Sequence, residues 1–284
     1  MRDSAKPWIA MVSIPGEGGP NFSPPSFCLA CIVSEASAIF AANDLARPFR
    51  AAEREDVLQR HRYSPYEFGL VISVAFGWAI LASLMSFLYG KTVGEAGAPD
   101  SFGREHLYGV VITELICLPV VAAILYARGW RAKDFPMGIG KASTILGIVA
   151  FTAAWVVDYV FTAAFALLFD SLRPAFELVA NYKPAHPPDF VAVYVLSVIN
   201  PVFEELIVCG YVIPVIASRY GLTTAINVSV IIRGLYHLYQ GIAFLPFHLA
   251  YGLMQAYLFV RFNRLWPLIV SHAIFDFAAL TYFI

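Results

Sequence analysis

From residue 67 onward the chain is a succession of apolar stretches, separated by links as short as Gln240-Gly241 and the turn at Asn263. A helix crosses a bilayer with about 20 mostly apolar residues, because each residue advances it by about 1.5 Å through a hydrocarbon core about 30 Å thick. Seven stretches meet that length, at roughly 67–90, 106–127, 143–169, 189–217, 222–240, 242–260 and 265–283. In lipid such segments must satisfy their own backbone hydrogen bonds, and a helix does so within one segment. The expectation is an all-α, polytopic transmembrane helical bundle of about seven spanning helices over residues 67–284, preceded by an N-terminal segment at 1–66. The short links make the last four helices antiparallel neighbours.

Composition agrees. Charged residues make up 14% of the chain and mean hydropathy is +0.68, whereas a soluble domain carries about 25% charged residues. A net charge of −1 is far from the basic footprint that nucleic acid requires. The expected partner is therefore the lipid bilayer, with no nucleic acid, and the expected location is the cell membrane. Residues 8–14 are too short an apolar run for a signal peptide and stop at Pro15-Gly16. Phe27–Ala42, interrupted by Glu35, suits a short interfacial helix, and the arginine-rich stretch 44–62 suits a cytoplasmic juxtamembrane segment. Cys28 and Cys31 form a lone CxxC in apolar surroundings and read as small residues in a hydrophobic stretch.

Lysine and arginine set the orientation. With the N-terminus inside, fourteen fall on the cytoplasmic side: seven within residues 1–66, then Arg128, Arg131, Lys133, Lys141, Arg219, Arg261 and Arg264. Four fall outside: Lys91, Arg104, Arg173 and Lys183. Positive charge stays inside, so the N-terminus is expected in the cytoplasm and the C-terminus outside. Residues 170–188, with four prolines, form the expected exterior loop with a surface-lying piece.

Ionisable residues within spans are costly and mark function by default. Here they are Glu114, Asp158, Glu204, Glu205, Arg233, His237, His248, His272 and Asp276. Glu204 and Glu205 sit in mid-span, where two adjacent carboxylates have no packing explanation. They leave a helix about 100° apart, so one is expected to meet a reacting water while a neighbour holds the other. Arg233 and His237 are four apart and share a face, as are His272 and Asp276. Counting about 1.5 Å per residue from the turn at Arg219 to Gly221 puts Glu204 and His237 level, at about 22–24 Å. Counting from Arg264 puts His272 and Asp276 at about 12 and 18 Å. A carboxylate kept from bulk water, with imidazoles beside it, is the equipment of water-mediated hydrolysis. Glu114 and Asp158 are expected to be satisfied by neighbouring helices, and His248 to be structural.

The three clusters resemble the CPBP family (CAAX protease and bacteriocin-processing, also called Abi), whose signature is EExxxR, then FxxxH, then HxxxN or HxxxD on successive late helices. The resemblance covers about 106–283 and extends to the strings Tyr236-His-Leu-Tyr-Gln-Gly and Leu265-Trp-Pro-Leu-Ile-Val-Ser-His. It implies a glutamate-dependent intramembrane endopeptidase with no cofactor and no metal ion, acting on a membrane-associated protein or peptide. It also implies that Glu204, beside Glu205, activates water with the help of His237, and that His272 and Asp276 form the oxyanion side. Two positions depart from the pattern. The arginine of the first motif would fall at Cys209, and the phenylalanine of the second at Arg233. Glu205 thus lacks the partner that the motif supplies four residues on, and Arg233 is expected to provide that guanidinium from the next helix.

Three other readings use the same residues. One is an inactive scaffold or chaperone of the same fold, which Cys209 favours. Another is a zinc enzyme with Glu204, His237 and His272 as ligands, although no HExxH is present. A transporter with a proton-relay glutamate is the third, and it lacks the expected broken helices and paired half-repeats.

Overall fold

The computed structural model describes residues 63–169 and 182–284, with Pro174 and Glu177 between them. The expectations for the CxxC, for Phe27–Ala42, for 44–62 and for most of the 170–188 loop lie outside the described residues. Among the described residues the chain is helical with no strand. Its seven helices are α1 Pro65–Leu88, α2 Arg104–Ala127, α3 Lys141–Leu168, α4 Phe190–Tyr220, α5 Leu222–His237, α6 Leu245–Phe262 and α7 Trp266–Leu280. Each falls on one of the seven apolar stretches. By length and composition α1, α2, the Lys141–Val160 part of α3, and α4 can cross a membrane, while α7 is apolar but only 15 residues long.

The helices begin where local chemistry dictates. Ser64 caps α1 by accepting from the Glu67 amide, with Pro65 in the first turn, where its missing N–H is not needed. Asp189 caps α4, taking the Ala192 amide at 2.7 Å, and the Tyr108 hydroxyl of α2 reaches the same carboxylate at 3.1 Å. These bonds hold the Asp189 carboxyl below the usual carboxylate range. α5 stops at His237, where a 3-10 turn over Leu238–Gln240 leads into Gly241 at a φ of 91°, a backbone shape that glycine takes without strain.

α4 is the inner helix. Fifty-six per cent of its most apolar window is buried, against 22% for α1 and α2. α2 and α7 pack along it, α5 packs on its second half, and α6 closes over α5 while α3 backs α7. Trp78, Ile116, Val156, Leu253 and Tyr257 stand exposed. α3 and α7 cross closely at Gly147, where a Cβ would lie 2.7 Å from both the Pro267 carbonyl oxygen and Val270 Cβ. Small residues at such crossings are how helices pack when no water drives them together.

Contacts sort the connecting segments into two ends. At one, Glu67 receives the Arg128 guanidinium at 2.9 Å, the Trp130 indole at 3.2 Å and the Tyr211 hydroxyl at 3.3 Å. Here too the Tyr63 amide donates to Ser218, Arg264 donates to Ser143, and the Leu265 and Trp266 amides donate to the carbonyls of Pro136 and Met137. At the other end the Val93 amide donates to the Tyr239 carbonyl and the Arg104 amide to the His186 carbonyl. Asp100 there accepts from the Tyr182 hydroxyl at 2.7 Å and the His186 amide at 2.9 Å. Partial burial alone would raise its carboxyl, but these donors hold it below the usual range.

Candidate active site between α4, α5 and α7

The middle of α4 is irregular around its two carboxylates. Pro201 inside the helix leaves the carbonyl one turn back without its amide donor, and Val208–Val212 form a π-helical turn just after Glu205. Such π-turns concentrate at functional sites because they re-aim side chains within a helix. Glu204 and Glu205 lie between these two features, buried to 5% and 0% exposure.

Both carboxylates meet one guanidinium. Arg233 of α5, itself 1% exposed, places Nη1 3.1 Å from Glu204 Oε2 and Nη2 2.8 Å from Glu205 Oε1. Adjacent glutamates leave the helix about 100° apart, yet both reach this one guanidinium. The planar fork of arginine spreads two donors widely enough to gather both. The second motif's unusual arginine therefore stands where a guanidinium for Glu205 was expected. Cys209, one turn below Glu205 on α4, lies beside both Glu205 and Arg233. The arginine side chain has room because position 252 on α6 is glycine, where a Cβ would come within 3.2 Å of Arg233 Cδ. The Tyr251 ring faces the guanidinium at 5.7 Å.

α7 brings His272 into the same cluster. Its Nδ1 is 2.9 Å from Glu205 Oε1, and its Nε2 is 4.0 Å from Glu204 Oε2 and 3.5 Å from Asp276 Oδ1. His272, counted at about 12 Å from Arg264, thus touches carboxylates counted at about 22 Å from the Arg219 turn. The reason lies in the α6–α7 turn, which is no surface landmark. Leu265 is fully buried, and the turn's amides are bonded to Pro136 and Met137.

Several participants were not singled out from the sequence. The Tyr236 hydroxyl donates to Glu204 Oε2 at 2.6 Å, and Asn200 donates to Asp276 Oδ2 at 2.9 Å. The signal for Asn200 was spacing, since it precedes Glu204 by four residues and shares its face. Gln255, also buried, donates to the Tyr251 hydroxyl at 2.6 Å. Glu114 of α2, 6% exposed, lies within electrostatic reach of Glu204, Asp276 and His272, and its Oε2 is buried with no hydrogen-bond partner. The expectation that neighbouring helices satisfy it does not hold for that oxygen.

His237 is placed differently. It ends α5 next to Tyr236, and its ring stacks on His248 of α6, centroids 4.0 Å apart and planes 6° apart. Its Nδ1 is buried without a partner. Among the described residues no group of three or more His, Cys, Asp or Glu is arranged to hold a metal ion, so Glu204, His237 and His272 do not form a ligand set.

Residues 186–278 match the family model of Rce1-like type II CAAX prenyl endopeptidases. The match covers about a third of the chain, which over that segment is similar to this family. The Rce1-like segment runs from just before α4 into α7, and every residue of the cluster except Glu114 lies within it. It is shorter than the 106–283 over which the sequence resembles the CAAX proteases. Among the described residues the fold is all-helical, with four helices long and apolar enough to cross a membrane. No curated protein and no solved structure matches the chain.

Proposed function

We propose that the chain is an intramembrane endopeptidase that hydrolyses a peptide bond of a membrane-associated protein or peptide, with Glu204 activating the water. The observation that carries this reading is the division of labour on Glu204. Both of its bonds, from Arg233 and Tyr236, fall on Oε2, which leaves Oε1 to take a proton from water. The hydroxide so formed adds to the scissile carbonyl carbon. Negative charge then develops on the carbonyl oxygen beside His272, whose ring Asp276 helps to orient, and a preorganised donor is most effective where charge develops. The carbon–nitrogen bond breaks as the proton passes to the leaving amine. In this scheme Glu205, locked between Arg233 and His272, is structural support, and His237 assists the water.

Purified protein in detergent, offered membrane-anchored peptides with and without a prenyl group, should cleave. Glu204→Gln should lower the rate by about a hundredfold or more, as loss of a general base does, and a chelator should leave it unchanged. Equal cleavage by wild type and Glu204→Gln would rule the reading out.

One observation favours the inactive scaffold as second reading, namely Cys209 at the motif's arginine position. Absence of cleavage on every peptide, with a folded protein, selects it. We further read the chain as multi-pass with the N-terminus in the cytoplasm. What supports this is that Arg128, Arg131, Lys133, Lys141, Arg219 and Arg264 all adjoin the end built around Glu67 and Ser143, whereas Lys91, Arg104 and Lys183 adjoin the end built around Asp100.

A further inference from the structure

His248 lies outside the three motifs, and the hydrolytic scheme gives it no task. Its ring is nevertheless held with more definition than packing needs. Nε2 is 2.6 Å from the Gln240 side-chain oxygen, and the Gln240 amide nitrogen donates to the Tyr239 hydroxyl at 3.1 Å. Gln240 thus ties the His248 ring nitrogen to Tyr239 and fixes the ring in place. Both residues are buried, at 7% and 8% exposure. The ring so fixed lies parallel to His237 at 4.0 Å.

His237, by contrast, has no hydrogen bond at Nδ1. A histidine that takes part in chemistry is commonly oriented through its other ring nitrogen by a carboxylate or carbonyl. Here no such bond is made, and a face-to-face ring takes that place. We propose that His248 is a positioning residue, whose stack sets the ring plane of His237 and presents the imidazole to water or substrate in one orientation. The proposal rests on the reading that His237 serves the hydrolytic site. The charged and titratable groups facing His237 are Arg233, Tyr236 and Tyr239 near it in the chain, His248 from α6 and His272 from α7. A leucine or phenylalanine would pack as well among Phe244 and Phe247, whose rings lie 6.4 and 5.3 Å from His248. Packing alone therefore does not explain a buried imidazole hydrogen-bonded through Nε2.

The test compares His248→Leu, which removes the stack, with His248→Phe, which keeps a flat ring. If the stack positions His237, His248→Leu lowers kcat by about ten- to a hundredfold, within what misplacement of a catalytic group can cost, with KM nearly unchanged. His248→Phe recovers most of the loss. A second readout needs no activity. In protein labelled with nitrogen-15 at histidine, the His237 signals, assigned by their loss in His237→Gln, report one ring environment in wild type and His248→Phe and a motionally averaged one in His248→Leu. Unchanged His237 signals in His248→Leu overturn the proposal. So does a kcat loss that is equal in both variants and tracks the unfolding temperature. A wild type that cleaves nothing defeats the hydrolytic reading, and the nitrogen-15 comparison then still decides the stack.

Discussion

Arg233 holds two carboxylates from a neighbouring helix, and its removal leaves both buried without their guanidinium. Breaking a buried pair by deleting one partner costs about 3–5 kcal/mol. Arg233→Met should therefore lower unfolding stability in detergent by about that much, while the same change at Arg261 in the last turn of α6 should cost less than about 1 kcal/mol. Equal effects at the two positions would show that the double ion pair contributes nothing. At this scale most of the cluster was readable in advance. A charge inside an apolar span is rare enough to be noticed singly, which is how Glu204, Glu205, Arg233, His272 and Asp276 stood out. Tyr236, Asn200 and Gln255 did not, because tyrosine, asparagine and glutamine within helices have many uses and only three-dimensional proximity gives them one.

Helix existence was equally legible, since each of the seven apolar stretches holds a helix, although α5, α6 and α7, at 16, 18 and 15 residues, are shorter than the length expected of a span. The interior of α4 was not. Nothing in Val208–Val212 announces a π-turn, and Pro201 marks irregularity without giving its form. The close crossing of α3 and α7 at Gly147 was also hidden, because a lone glycine in a helix has no sequence mark for what approaches it. A methyl group there meets a backbone carbonyl oxygen and a β-branched side chain at 2.7 Å, and overpacking of this kind costs about 1–3 kcal/mol. Gly147→Ala should lower the thermal unfolding temperature, whereas Gly109→Ala, where a Cβ meets nothing within 4 Å, should not. Because His272 and Asp276 lie on α7, the same change should also reduce any cleavage activity.

For the molecule as a whole, the distribution of positive charge and the contacts between connecting segments divide it the same way. Single cysteines placed at Lys133 and at Lys183, with the native cysteines replaced, should react with a membrane-impermeant thiol reagent from opposite sides of intact cells or vesicles, Lys183 from outside. Labelling of both from one side would overturn the orientation. Depth within the bundle was less legible than sidedness. The α6–α7 turn is tucked against Pro136 and Met137, so counting residues from Arg264 misjudged how far His272 reaches. The guanidinium that bridges α5 to α4 has a consequence for substitution. Positions 209 and 233 share one charge requirement, so a change at either is judged by what the other carries. Arginine at 209 beside Arg233 crowds two cations against Glu205, and their joint absence strands two anions. The pair Cys209→Arg with Arg233→Phe keeps the balance. The same two carboxylates can therefore be neutralised by a cation carried on either helix.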